Sequence, residues 1–263
     1  MKKNHSKKLS VVLAIFNEAA NLSRCLDSIK DLAAEIIVVD GGSTDQSVTI
    51  AEKYGAKVFK TSNKLNFHIN KQMAIDKAHH QLILQLDADE VVDRKLKTFL
   101  SNLLQGQSKT PAVAWYLKRK NLFLGKWLTK GGQYPDPVIR LFIKGKAKLP
   151  QKSVHEQMIV DGPTDWADGH LLHYSSPNFA SYWRKFQIYT DFTAQKLIKE
   201  GFSPTSRLAI KYLFIKPIQT SFLLAFRHKG FVDGWQGCFF ALMSGFHFPV
   251  AYFKFQKKFR SKK

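Results

Sequence analysis

The sequence has little cysteine and no recognisable export signal. Its two cysteines, Cys25 and Cys238, are far apart and match no metal or redox spacing, so we expect two reduced thiols in a cytosolic protein. The apolar stretch 9–16 is too short for the hydrophobic part of a signal peptide and is typical of a strand. No internal repeat or low-complexity linker is present.

Acidic residues are also scarce, since 20 Asp and Glu stand against 41 Lys and Arg and the net charge is +21. This excess of basic residues indicates an anionic partner, either nucleic acid or an anionic membrane surface. Basic residues cluster at the start of the chain, across 118–152 and at the end. In the last two clusters aromatic residues lie among them, which favours a lipid interface.

The hydrophobic fraction of 44% and charged fraction of 23% are those of a folded globular protein and argue against wholesale disorder. Three apolar runs between Leu9 and Lys60 alternate with two polar, periodic stretches, which predicts the order β-α-β-α-β. The runs are continuous rather than alternating, as in a parallel sheet that helices cover on both faces. A further helix over 66–80 and a strand over 81–86 extend this pattern.

The remainder of the chain has a different character. Short strand-like runs over 111–173 predict an appended mixed sheet with loops. From Asn178 onward the sequence is typical of helices, and we predict a boundary between domains 1–176 and 177–263. The expected helix breaks are Gly201 to Pro204, Pro217, Gly230, Gly234 and Pro249.

The segment Cys238–Phe253 contains sixteen residues without a formal charge. This length is short for a membrane span, so we predict an interfacial or re-entrant helix pair. A buried core helix fits the length equally well.

Polar motifs follow three of the predicted parallel strands. Asn17 and Glu18 follow the first strand, Asp40 follows the second, and Asp87-Ala88-Asp89 follows the fourth. Because ligands bind beyond the carboxyl ends of such strands, these motifs are expected to line one crevice. A carboxylate at the position of Asp40 suits a uracil ring or a ribose, and paired carboxylates suit a hard cation that bridges a diphosphate. Taken singly, a glycine turn after Asp40 or an acidic surface turn would be the simpler interpretation.

The segments IFNEAANLSRCLDSI, IIVVDGGSTDQSV and LILQLDADEVV resemble glycosyltransferase family 2. The resemblance covers residues 9–105 and implies an inverting enzyme with a GT-A type, Rossmann-like α/β fold. Within the family, PDPVIRLF, KSVHEQM, LLHYS and GFVDGWQG resemble bacterial lipopolysaccharide core β-1,4-glucosyltransferases. The implied donor is a nucleotide sugar, with UDP-glucose expected.

The resemblance also implies individual roles in the donor site. Asp40 is expected to contact the nucleotide base, Asp87 to lie near the ribose, and Asp89 to bind a divalent metal, Mg²⁺ or Mn²⁺. Asn17 and Glu18 are expected in the same nucleotide site.

Further residues are expected to serve the acceptor and the leaving group. Inversion requires a base that deprotonates the acceptor hydroxyl; Glu156, at the position of the candidate base in relatives, is the first choice and Asp136 the second. Arg140 could neutralise the departing diphosphate or only extend from the surface of a strand. His173 could bind the metal or a phosphate, or be structural. Gln72 stands where relatives carry Asn, and no donor contact is assigned to it.

The expected function is transfer of a hexose to a lipid-linked saccharide, the lipopolysaccharide or lipooligosaccharide inner core. Such an acceptor places the enzyme in the cytoplasm, peripheral on the anionic inner face of the inner membrane. A polyprenyl-phosphate acceptor is an alternative; being already an anion, it would need little base catalysis, and many such relatives carry clear transmembrane helices that this sequence lacks. A nucleic-acid-binding protein without catalysis would explain the charge but not three aspartates at strand ends.

Overall fold

The computed structural model describes residues 7–64, 66–107, 110–150 and 157–261. The chain forms two compact units, one of residues 1–119 and 137–173 and the other of residues 120–136 and 174–263. The chain passes from the first unit to the second between Arg119 and Lys120 and again between His173 and Tyr174. Residues 120–136 belong to the second unit although they precede part of the first in the chain, an arrangement that the sequence pattern does not predict.

The main sheet starts with four parallel strands in the order β3-β2-β1-β4. These are β1 (Leu9–Ile15), β2 (Ala33–Asp40), β3 (Lys57–Lys60) and β4 (Leu82–Leu86). The strands that follow in the chain are β5 (Glu90–Val92), β6 (Ala114–Phe123), β7 (Lys126–Trp127), β8 (Asp136–Ile143), β9 (Ala147–Lys148), β10 (Ile159–Val160) and β11 (Thr164–Ser176). Beyond β4 the order continues β8-β6-β11-β5, with β7 beside β6, while β9 and β10 form a separate ladder. The appended mixed strands therefore extend the same sheet.

Four helices pack on this sheet: α1 (Ala19–Asp27), α2 (Ser47–Lys53), α3 (His68–Asp76) and α4 (Arg94–Leu104). One core joins α1, α2 and α4 to alternate residues of β1, such as Val11 and Leu13. The other joins Ala74 and Ile75 of α3 to the intervening Val12. Because both faces of the strands are buried, their sequences are continuously apolar. The predicted α/β class, with helices on both faces, is confirmed.

The second unit is mainly helical, as predicted. It contains α5 (Phe179–Lys199), α6 (Ser206–Ile210), α7 (Lys216–Phe222) and α8 (Gly234–Arg260). Helix α6, a π-helical segment Lys211–Ile215, α7 and a second π segment Leu223–Arg227 form one continuous helix, Ser206–Arg227. A short 3₁₀ turn, Gly230–Asp233, precedes α8.

Two of the predicted helix breaks are wrong. Pro217 lies in the first turn of α7, where the helix continues from a π segment, and Pro249 lies inside α8. Packing of α5 and α7 against α8 overrides the local preference of proline. The segment Cys238–Phe253 is consequently part of one helix rather than a helix pair, and exposure of Leu242 and Phe253 excludes a fully buried core helix.

Two helices, Ser206–Arg227 and Gly230–Arg260, are long and apolar enough to cross a membrane by length and composition. Only 6% and 28% of their most apolar windows are buried. Length and composition alone are weak evidence for a span. Still, the expected lack of such helices no longer separates a saccharide acceptor from a polyprenyl-phosphate acceptor.

Candidate functional site

The carboxyl ends of β1, β2 and β4 lie at one edge of the sheet. In the strand register Ile15 is opposite Asp40, and Leu13 is opposite Leu86. The residues that follow these strands are therefore brought together, as the sequence predicts for Asn17, Asp40 and Asp87. This edge is the candidate functional site.

The loop after β2 is held in place by Asp40 and Asn17. The buried carboxylate of Asp40 accepts hydrogen bonds from the main-chain N–H groups of Gly42, at 3.2 Å, and Ser43, at 3.1 Å. The Oδ1 of Asn17 accepts from the N–H of Thr44 at 2.8 Å, and the Asn17 N–H donates to Ser43 Oγ at 2.9 Å. Both polar side chains fix the shape of the loop, and glycine at position 42 permits its φ of 88°.

Asn17 itself has a φ of 54°, in a region that Asn tolerates better than most residues. It therefore precedes helix α1 and is not its N-cap, a position that Glu18 occupies. The N–H of Glu18 donates to Ser47 Oγ at 2.8 Å, and Asp45 accepts from the N–H groups of Ala19, at 3.0 Å, and Ser47, at 2.9 Å. The starts of α1 and α2 are thereby tied together beside Asp40.

Asp87 is clamped between two cationic side chains. Lys71 Nζ lies 2.5 Å from its Oδ1 and Arg140 Nη2 lies 2.5 Å from its Oδ2. Burial alone would raise the pKa of Asp87, but Arg140 and Lys71 outweigh it and hold that pKa well below its usual range. Asp87 is thus a carboxylate whose orientation and charge are both fixed.

The same network continues into the core behind Asp87. Arg140 also bonds the side chain of Gln85, and its Nη2 lies 3.3 Å from Oε1 of the fully buried Glu90. Glu90 in turn lies 3.4 Å from Arg119 Nη1 and accepts the Asp87 N–H at 3.0 Å. Arg140 is itself buried, so it does not extend into solvent from the strand surface.

Sequence reasoning missed four members of this network, namely Lys71, Gln85, Glu90 and Arg119. Two of them left a signal in the sequence: Gln85 interrupts an otherwise apolar strand, and Glu90 directly follows the aspartate motif. Buried polar groups of this kind normally have partners. The pairing of Leu84 in β4 with Leu141 in β8 brings Gln85 and Arg140 side by side.

Asp89 lies beside His173. Its Oδ2 lies 3.3 Å from His173 Nε2, and both side chains are largely buried. The antiparallel pairing of β5 with β11 places His173 opposite Glu90, which explains how a distant histidine reaches the motif. Among the described residues no group of three or more His, Cys, Asp or Glu side chains could hold a metal. A carboxylate and an imidazole suit a divalent cation whose remaining ligands come from phosphate and water.

Only one of the two candidate bases, Asp136, lies among the described residues. Asp136 is the first residue of β8, and its Oδ2 accepts a hydrogen bond from Asn121 Nδ2 at 3.0 Å. Glu156 lies outside the described residues. Asp136 and Asn121 belong to the second unit.

The segments that flank Glu156 are held on α3 and in the core. Gln72 accepts the N–H of Leu149 at 2.7 Å, and His68 Nδ1 lies 3.1 Å from the carbonyl oxygen of Pro150. On the far side, Met158 packs into the core that contains α3. Gln72 thus supports the chain that leads to Glu156.

Curated relatives align with most of the chain. An uncharacterized glycosyltransferase of Rickettsia bellii is 28% identical over 240 residues, which are 87% of this chain and 81% of the relative. The lipopolysaccharide core biosynthesis glycosyltransferase LpsC of Rhizobium meliloti is 28% identical over 251 residues, which are 90% of each protein.

Among solved structures, glucosyl-3-phosphoglycerate synthase from Mycobacterium tuberculosis, in a complex with Mn²⁺, UDP and glucosyl-3-phosphoglycerate, is similar over 44% of each chain. The identity is 22% and the TM-score is 0.35. A likeness of this size carries no information about the ligands of this chain.

The decisive comparison is with a protein family. The sequence model of Glycosyl transferase family 2 matches residues 10–164, more than half of the chain. The match contains the strand-end motifs Asn17-Glu18, Asp40 and Asp87-Ala88-Asp89, which the fold brings to one edge. The chain belongs to glycosyl transferase family 2 and is a glycosyltransferase.

Proposed function

We propose that this glycosyltransferase is an inverting hexosyltransferase that uses a UDP-linked sugar, with glucose the first candidate. The observation that carries the proposal is the arrangement of Asp40, Asp87 and Asp89 at one sheet edge, each in a different setting. Asp40 shapes a loop, Asp87 is held by cations, and Asp89 lies beside an imidazole. Three such settings suit the three parts of the nucleoside diphosphate of a nucleotide sugar, which are base, ribose and diphosphate.

In the proposed donor complex, Asp40 and the loop that Asn17 fixes contact the base, with Glu18 nearby. Asp87 accepts hydrogen bonds from the ribose hydroxyls without needing to reorient, because Lys71 and Arg140 already hold it. Arg140 also brings positive charge close to the departing diphosphate, as does Lys71. Preorganised charge of this kind lowers the barrier to departure of an anion.

Asp89 and His173 are the residues that would hold a divalent metal, Mg²⁺ or Mn²⁺. Their separation of 3.3 Å and their carboxylate and imidazole chemistry support this assignment. A bound cation would supply charge neutralisation to the diphosphate. The two protein ligands are fixed by the β5–β11 pairing.

We propose Glu156 as the base that removes the proton of the acceptor hydroxyl, with Asp136 as second candidate. The contacts of Leu149 with Gln72 and of Pro150 with His68 support this role, because they root the chain before Glu156 on α3. Helix α3 also carries Lys71, the partner of Asp87. The proposed donor site and the segment before the candidate base are thus both in contact with helix α3.

The proposed acceptor is a lipid-linked saccharide of the lipopolysaccharide or lipooligosaccharide inner core, met at the cytoplasmic face of the inner membrane. The name of the Rhizobium meliloti relative and the charge of +21 support it. A polyprenyl-phosphate acceptor is a second candidate, which the two long apolar helices favour.

Transfer assays with purified protein, a panel of nucleotide sugars and both acceptor classes test the proposal. We expect UDP-glucose to be the best donor and Glu156→Gln to lower transfer by roughly 100-fold or more, since general base catalysis contributes ~10²–10⁴-fold. The exposed Asp161→Asn is the matched control. Undiminished transfer by Glu156→Gln would remove Glu156 as base, and undiminished transfer to a polyprenyl phosphate alone would favour the second acceptor class.

A further inference from the structure

The helix Ser206–Arg227 carries a row of exposed apolar side chains at every fourth position. These residues are Ile210, Phe214, Ile218, Phe222 and Phe226, and each is more than half exposed. On a regular α-helix a four-residue repeat drifts by about 40° per step, or roughly 160° along this row, because a turn contains about 3.6 residues. Such a row would wind around the helix rather than stay on one side.

The two π segments counteract this drift. Lys211–Ile215 and Leu223–Arg227 form wider turns with i→i+5 hydrogen bonds, so that four residues come closer to one turn. They occur within the span of the row, one near each end. The backbone therefore keeps the row on one face. Other residues of this helix that are spaced by four are aligned in the same way.

A second four-residue row borders the apolar one and carries basic residues near its two ends. Its exposed polar members are Arg207, Lys211, Gln219 and Arg227, and the apolar Ile215 and Leu223 complete it. Asp and Glu are absent between Glu200 and Asp233. An apolar stripe bordered by long cationic side chains matches an anionic lipid interface, because those side chains reach the headgroups while the stripe enters the acyl region.

The opposite side of this helix is already occupied by the second unit. Leu208 and Tyr212 are buried in its core, and Pro217 and Ser221 lie where a side chain at Gly245 of α8 would collide. The exposed rows are therefore not needed for folding of the helix against its neighbours. Exposed apolar surface of this extent marks an interaction site.

We propose that the helix Ser206–Arg227 lies in the plane of the anionic lipid interface, with the row from Ile210 to Phe226 inserted. This deepens the proposed location at a membrane surface and does not depend on the transfer reaction. A spanning orientation is disfavoured by Lys216 in the middle of the helix, which packs over Tyr212 and donates to its hydroxyl. Lysine at the centre of a span is costly.

Flotation of the full-length protein with phosphatidylcholine vesicles, with and without phosphatidylglycerol, tests the partner. The triple variant Phe214→Ser, Ile218→Ser, Phe222→Ser should lose at least about tenfold in binding to the anionic vesicles, since each lost side chain removes buried apolar area. Its control is Ile188→Ser, Tyr189→Ser, Phe192→Ser, which removes exposed large apolar side chains of α5. Equal loss in both triples, or none in the first, would overturn the proposal.

Charge is tested in the same assay. Replacing Arg207, Lys211 and Arg227 by Gln should weaken binding to anionic vesicles, whereas replacing the exposed Lys53, Lys57 and Arg94 of the first unit by Gln should not. Circular dichroism and UDP binding of each variant separate loss of fold or of the donor site from loss of lipid binding. Equal binding to neutral and anionic vesicles would contradict the assignment. So would a wild-type protein that binds no vesicles but forms oligomers, if the triple serine variant converted those oligomers to monomers.

Orientation is tested with a fluorophore attached in turn at Ile210→Cys, Ile218→Cys and Phe226→Cys, on a Cys238→Ser background. Cys238 is exposed whereas Cys25 is buried, so labelling is confined to the chosen position. Quenching by lipids spin-labelled at different depths should give equal shallow depths at the three positions. A graded depth from one end of the helix to the other would overturn the in-plane arrangement.

Discussion

The two units of the chain differ in where they put charge and apolar surface. The first buries ionised groups, among them Asp87, Glu90 and Arg140, and satisfies them with one another. Most of the large apolar side chains that are exposed among the described residues belong to the second unit, including Phe214 and Ile218. A buried charge requires a partner inside the protein, and an exposed apolar row requires one outside. The difference indicates that the proposed donor site and the proposed lipid-binding surface are built from different parts of the chain.

The strongest test of this separation is a reciprocal pair of variants. We expect Asp89→Asn to lower transfer by roughly 100-fold or more, because Asp89 is one of the two proposed metal ligands, while vesicle binding stays unchanged. The serine triple at Phe214, Ile218 and Phe222 should lose vesicle binding and keep UDP binding. Transfer to a soluble acceptor and vesicle flotation measure the two properties. Loss of both properties in either variant would break the comparison.

The next effect concerns the buried ions of the first unit. Arg140→Leu leaves Asp87 and Glu90 without their shared partner, and breaking a buried ion pair costs about 3–5 kcal/mol. Urea unfolding followed by circular dichroism measures the free energy of unfolding. Replacement of the exposed Arg24 by Leu should change it by less than about 0.5 kcal/mol. Equal effects at both positions would mean that the network does not hold Asp87.

The packing of the second unit can be tested at Gly245. A Cβ there would lie 2.1 Å from Ser221 Oγ and 2.6 Å from the Pro217 carbonyl oxygen. Gly245→Leu should therefore lower the free energy of unfolding by about 1–3 kcal/mol, as overpacking does. Leu242→Ala, at a position of α8 that is 61% exposed, should have little effect. Thermal and urea denaturation of both variants decide whether this close approach is required.

The smallest expected effect lies at the edge of the sheet opposite the candidate site. Burial would raise the pKa of Glu35, but hydrogen bonds from Ser10 and His79 outweigh it and lower the pKa to about 2, from its usual 4.5. Since the folded-state pKa is the lower one, the stabilisation is complete above about pH 4.5 and is lost as the pH falls towards 2. Glu35→Gln should cost about 1–2 kcal/mol at neutral pH.

Unfolding of the Glu35→Gln variant should be compared with wild type at several pH values. The difference should shrink on acidification. A difference that does not change with pH would show that Glu35 acts only through its shape.

The candidate site at the carboxyl ends of the strands could be predicted because its residues lie at or directly after the ends of the strands in the sequence. Continuous apolar strands, each followed by a polar motif, specify both the parallel order and the meeting of Asp40 with Asp87. The ion pair of Asp87 with Arg140 could not be predicted, since it depends on the antiparallel pairing of β8 with β4 across more than fifty residues of sequence. The pair with Lys71 depends on the packing of α3 beside the end of β4. His173 was found as a candidate, but its position beside Asp89 depends on a similar distant pairing.

Two of the predicted helix breaks were wrong for a different reason, because local sequence preferences were overridden by contacts between helices. Local preferences placed ends at Pro217 and Pro249, but contacts of α8 with α5 and α7 keep the helices continuous. The four-residue apolar row was visible in the sequence. Its meaning was not, because it depends on π segments that only the backbone shows.

Because of the π segments, the directions of the side chains along the helix Ser206–Arg227 depend on its exact number of residues. Deleting one residue within Lys211–Ile215 would remove the extra residue of the wide turn and rotate all that follows by about 100°. Phe222 and Phe226 would then point away from Ile210, although the amino-acid composition of the helix would scarcely change. The length of this helix is therefore constrained residue by residue, and an insertion or deletion there should be less well tolerated than a conservative substitution.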